Sequence, residues 1–155
     1  MTTEKYPDSF YRGISPNNVH EDGFLMPESF HIDDGKASGR DDGFDEISIT
    51  WNDEEAAFGV IASQVNSRSG EIQFSAGISI IQTKEFERQM KPQLMANNVD
   101  YERKPTSNNK YHGNILVKSD LRKDIKNMIK GQFALLAQDC ILPNPYVKLV
   151  TINDG

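Results

Sequence analysis

Apolar residues recur along this chain with two different periods, and the periods mark its elements. Phe10-Tyr11-Arg12-Gly13-Ile14 is a short strand-like run closed by Ser15-Pro16-Asn17-Asn18. In Glu46–Trp51, Ile47, Ile49 and Trp51 occupy every second position, which predicts a half-buried strand with those three on one face. Glu71–Ala76 and Ile78–Ile81 are further strand candidates separated at Gly77, and Asn114–Lys118 is a buried one. Tyr146–Ile152 alternates as a last strand. The helical period is clearest in Leu121, Ile125, Met128, Ile129, Phe133 and Leu136, one apolar stripe opened by a Ser119 cap and stopped by Cys140, ahead of Pro143 and Pro145.

Shorter elements are less sharply drawn. Asn52 followed by Asp53, Glu54 and Glu55 has the form of a helix start, so Ala56–Ser63 is a short helix, or Gly59-Val60-Ile61-Ala62 begins a strand. Phe24–Ile32 is either a short strand or an irregular turn, interrupted at Pro27. Thr83 caps a short charged helix that ends before Pro92, and residues 92–111 form a polar connection. Strands first and the principal helix late predict an α+β fold with a mainly antiparallel sheet. At 155 residues the chain is expected to be a single domain, 1–155, with residues 1–9 as a flexible tail.

Charge changes the picture. Residues 1–80 carry 15 Asp and Glu against 5 Lys and Arg, whereas residues 81–155 carry 8 against 12. Much of this split lies in two segments. Residues 33–46 hold six carboxylates and three glycines, the pattern of a mobile acidic loop, and residues 118–130 carry the cations of the late helix. Asp33, Asp34, Asp41, Asp42, Asp45 and Glu46 are therefore the candidate contacts for a basic protein partner. They lack the regular ligand spacing of a calcium loop. Nucleic acid is disfavoured, since no aromatic interleaves the helix lysines and the acidic half repels phosphate.

The single cysteine, Cys140, excludes an internal disulfide and any cysteine-cluster zinc site, and its place after an apolar helix predicts a buried structural thiol. No long apolar run or signal-type N-terminal stretch is present, so a cytoplasmic protein without a membrane span is expected. The histidines, at 20, 31 and 112, are too scattered for a metal pair. No glycine-rich phosphate loop or Gly-x-Ser-x-Gly elbow occurs, so Rossmann dinucleotide folds, P-loop ATPases and α/β-hydrolases are unsupported. Charge pattern and lack of strong catalytic motifs together favour a non-catalytic interaction protein, an accessory or immunity-like component of a bacterial system, needing no cofactor.

One spaced set points to chemistry instead. Arg12 stands on the first strand, Ser48 and Thr50 form Ser-x-Thr on the next alternating strand, and Glu85 and Glu87 form Glu-x-Glu. This order resembles arginine-type ADP-ribosyltransferases. The resemblance implies that Arg12 grips a phosphate of NAD, that the Ser48 strand orders the pocket, and that Glu87 stabilises positive charge on the nicotinamide ribose. Guanidinium suits phosphate, and a carboxylate suits an oxocarbenium-like centre. The family places its Glu-x-Glu at a strand, whereas Glu85–Met90 is helix-like here.

A second resemblance covers more of the chain. Tyr11-Arg12, Asp22-Gly23, Phe30, Ile47-Ser48-Ile49 and His112 are similar to a pattern in a group of small bacterial proteins with no assigned activity, Tyr-Arg, Asp-Gly, Phe, Leu-Ser-Val and a late His-Ala. Gly113 stands where that pattern has Ala. This resemblance implies a shared fold and a pocket at Arg12, Ser48 and His112. His112, at the start of a predicted strand, serves there either as a hydrogen-bonded structural imidazole or as a functional one.

Overall fold

The computed structural model describes residues 6–147. It is an α+β fold built on one six-stranded antiparallel sheet. The strands are β1 (Ser9–Ile14), β2 (Phe44–Trp51), β3 (Gly77–Gln82), β4 (Val99–Arg103), β5 (His112–Lys118) and β6 (Ile141–Leu142), in the spatial order β4-β5-β2-β1-β3-β6. The helices are α1 (Ala56–Ala62), α2 (Thr83–Gln89), α3 (Lys91–Met95) and α4 (Lys123–Gln138). A short 3₁₀ turn, Pro27–Phe30, packs against α4.

Strand alternation sorts side chains onto two faces. One face carries Phe10, Ile14, Ile47, Ile49, Trp51 and Ile115, and it packs on Phe30, Phe86, Ile129 and Phe133 in the main core. Phe133 stacks on Phe30 and meets Phe10 edge-on, geometries that add to simple burial. The other face is covered only in part. There Tyr11 and Ile78 pack with Ala57, Ile61 and Ala62 of α1.

The sheet is not evenly joined. β1 pairs with β3 through six residue pairs, and β2 pairs with β5 through seven. β1 and β2 are in register only at Phe10↔Trp51 and Tyr11↔Thr50. Two three-stranded halves, β4-β5-β2 and β1-β3-β6, thus meet at two residue pairs, are joined on one side by Asn52 donating to Ser9, and part on the other side beyond Tyr11.

Several sequence expectations are corrected. Glu71–Ala76 forms turns with one bridge, Val65↔Ile72, not a strand. Phe74 from this segment packs against the α1 cluster. The connection 92–111 holds a fourth strand, β4, and Pro92 opens α3 in the first turn, where its missing N–H costs nothing. Thr83 and Ser119 do not cap helices. Their hydroxyls donate to the carbonyls of Pro7 (2.7 Å) and Gly43 (2.9 Å), tying distant segments to the sheet. Met128 is 40% exposed, so the buried stripe of α4 runs through Ile129, Phe133, Ala134, Leu136 and Ala137. Cys140 is exposed, because the chain has left α4 for β6 by that point. Tyr6 is no tail residue, since it stacks on Trp51 at 4.7 Å between centroids. Of the expected last strand, Tyr146 and Val147 lie in a turn and bend, and the rest is outside the described residues.

Candidate functional site

A cleft of about 330 Å³ opens where β1 and β2 part. Arg12, Ser48 and His112 all border it. Glu87 does not, because it is an exposed residue of α2, which packs with the opposite face of the sheet through Phe86. The structure therefore brings together the trio common to the small-protein pattern and leaves the Glu-x-Glu pair apart.

Register explains the convergence. Thr50 pairs with His112 and Ser48 with Asn114, so Ser48, Thr50, His112 and Asn114 project to one face. Tyr11 pairs with Thr50 and adds its side chain to that face. Arg12, next in sequence, points the other way. Its guanidinium lies 5.5 Å above the Phe30 ring, and its Nη1 donates to the Ser48 carbonyl at 2.7 Å. Burial lowers the Arg12 pKa to about 10, against the opposing pull of Asp33, so the side chain remains cationic at neutral pH. Arg12 is thus a buried cation behind the cleft and a tie between its walls.

His112 is oriented by the backbone. Its Nδ1 is 2.9 Å from the Lys104 carbonyl oxygen, which only accepts, so Nδ1 carries the proton. A neutral ring then presents a lone pair at Nε2, the arrangement of a general base. The loop before His112 is held by Asn109, whose Nδ2 donates to Thr50 Oγ1 (2.9 Å) and whose Oδ1 accepts from the Tyr111 amide (2.9 Å).

Two glycines set the shape of the site. A Cβ on Gly13 would fall 2.3 Å from the Phe74 ring, so the missing side chain lets Phe74 close one wall. A Cβ on Gly113 would meet Trp51 Nε1 at 2.2 Å, on the core side. Trp51 fills the space that a methyl would need and donates from Nε1 to the Glu102 carbonyl (3.1 Å).

The acidic segment has an internal organiser that sequence reasoning missed. Arg40 donates to Glu46 (2.7 Å), to both Glu102 oxygens (2.6 and 2.9 Å) and to both Asp42 oxygens (3.1 and 2.7 Å). Glu46 is buried and also faces Lys104 Nζ at 3.4 Å, and Asp45 lies 3.7 Å from Lys126. Asp33, Asp34, Asp41 and Asp42 remain exposed. Glu102 falls on β4, the unforeseen strand, which is why the charge count alone gave no sign of this network.

Among the described residues, no group of three His, Cys, Asp or Glu side chains is placed to hold a metal. No helix among them is long and apolar enough to cross a membrane. No family model, curated protein or solved structure matches the chain.

Proposed function

We propose that the protein is an ADP-ribosyltransferase-like enzyme that takes NAD in the cleft between β1 and β2. One observation carries the reading. Arg12 and the Ser48-x-Thr50 strand, matched to that family on sequence order, stand side by side at a split in the sheet, with His112 on the strand beside them. A cation buried behind the cleft draws a dinucleotide's phosphates towards it by its field. Tyr11 and Phe74 on the walls offer aromatic faces to a base or to nicotinamide. In this reading His112 takes the third place, which the sequence resemblance gave to Glu87.

The reading is tested by thermal shift with NAD and by release of nicotinamide. Wild type is expected to be stabilised by NAD and to release nicotinamide, and His112→Ala to lose release by 100-fold or more, within the usual reach of a general base. No stabilisation together with no release removes the proposal.

A second reading is favoured by the exposure of Asp33, Asp34, Asp41 and Asp42, the last of which is also held by Arg40. These four present negative charge to a basic partner protein, as in an accessory or immunity-like component of a bacterial system. Asp45 and Glu46 support the segment from within. Asn at Asp33, Asp34 and Asp41, which stand outside the Arg40 network, should abolish co-purification of a basic protein while leaving the fold intact. Unchanged recovery contradicts this reading.

A further inference from the structure

A second cavity, of about 610 Å³, adjoins the cleft. The two share Gln64, Gln73, Asn109 and His112 as lining residues, so His112 stands at their border. The outer cavity lies between the end of α1 with the following loop and the loop before β5. It has no Asp, Glu, Lys or Arg in its lining.

We infer that the outer cavity is the acceptor subsite, and that it takes an uncharged alcohol rather than a guanidinium; the inference rests on the NAD reading of the inner cleft. Three observations lead to it. Gln64, Gln73 and Asn108 bring carboxamides whose side chains make no hydrogen bond among the described residues. Each carboxamide both donates and accepts, which matches a hydroxyl group. A guanidinium only donates and is held best by a carboxylate, and neither cavity has one in its lining.

His112 at the border completes the chemistry. An alcohol is a weak nucleophile until a base removes its proton. In the transfer, the C1′–N bond of the nicotinamide riboside breaks and its electron pair goes to the pyridine nitrogen, so nicotinamide leaves neutral. The alcohol oxygen forms the new C1′–O bond, and its proton passes to His112 Nε2. The imidazolium then returns that proton to solvent.

The test is a competition. The full chain is incubated with NAD and equal concentrations of glycerol and agmatine, and nicotinamide, ADP-ribose and both adducts are quantified in one sample. The glycerol adduct is expected to exceed the agmatine adduct by at least tenfold. In Asn108→Leu, the share of glycerol adduct per nicotinamide released should fall at least fivefold. Asn108 is exposed, and normalising to released nicotinamide separates acceptor choice from any loss of folded protein. An agmatine adduct equal to or above the glycerol adduct overturns the acceptor assignment alone, as does ADP-ribose as the sole product or an unchanged share in Asn108→Leu. No released nicotinamide overturns the NAD reading and the acceptor assignment with it.

Discussion

Arg12 reaches across the dividing line of the sheet to donate to the Ser48 carbonyl at 2.7 Å, so the two residues that border the cleft also fasten its two walls together. Two residue pairs join β1 to β2, Asn52 adds hydrogen bonds to Ser9 beside them, and the Arg12 bond is the tie on the cleft side of the seam. Arg12→Leu should cost about 1.5–3 kcal/mol, the range for a hydrogen bond with a charged donor. Urea denaturation measures the loss. A cost below about 0.5 kcal/mol, the size of an ordinary surface change, would mean that the tie contributes nothing.

Arg40 governs a different joint. It is the shared donor for Glu46, Glu102 and Asp42, and Glu46 is buried. Arg40→Ala leaves a buried carboxylate with only the longer Lys104 contact, and such a break costs about 3–5 kcal/mol. Hydrogen exchange should rise across residues 33–43 before it rises in β2. Equal protection in wild type and variant would falsify the role assigned to Arg40.

The same network predicts a pH response. Burial alone would raise the Glu102 pKa, but hydrogen bonds from Arg40 and Asn114 and the Arg40 charge hold it below the ordinary 4.5. Asp42 is also lowered, chiefly by its Arg40 hydrogen bond. A carboxylate with a lowered folded pKa adds stability above its unfolded value and loses it as pH falls through the folded one. Stability should therefore fall as pH drops below about 4.5, the side on which the unfolded chain binds more protons. In Arg40→Gln the Arg40 contributions to Glu102 and Asp42 are lost, so the fall in stability towards acid should be smaller than in wild type. Denaturation midpoints at pH 6 and pH 4 distinguish the two behaviours.

Gly113→Ala should destabilise by about 1–3 kcal/mol or more, the cost of forcing a methyl into a filled space. Its Cβ would lie 2.2 Å from Trp51 Nε1 and 2.4 Å from the Glu102 carbonyl. Trp51 is the chain's one tryptophan, so its fluorescence reports the displacement. Trp51→Phe should relieve part of the cost in the double variant. Additive losses would mean that Trp51 is not the obstruction.

Glu87→Ala should alter stability by less than about 0.5 kcal/mol, as for an exposed side chain, and leave nicotinamide release unchanged. A loss of release comparable with that of His112→Ala would return the catalytic role to the Glu-x-Glu pair.

What could be read from the sequence depended on how local its cause is. β2 and α4 announce themselves because their apolar positions repeat with one period, and β1 and β5 because apolar residues cluster in a short run. β4 escaped because Val99 and Tyr101 are its only apolar residues, while Asp100 and Glu102 turn to the polar face. Arg40 looked like a charge offsetting its acidic neighbours, since its partner Glu102 is 62 positions away and is delivered by sheet register alone. Ser48 and His112 were joined in one pocket only by a resemblance, and the β2–β5 register, pairing Ser48 with Asn114 and Thr50 with His112, is the physical reason they share a face. Glu87 has the right spacing along the chain and the wrong side of the sheet.

The seam between the halves has a mechanical meaning. Each half is internally braced by strand pairing, β1 to β3 and β2 to β5, while the joint is two residue pairs wide. One core runs beneath both halves, and Phe10 of β1 meets Trp51 of β2 edge-on across the seam, so the split is a notch in a braced plate. A molecule seated in the notch meets walls whose spacing the Arg12 tie has already fixed.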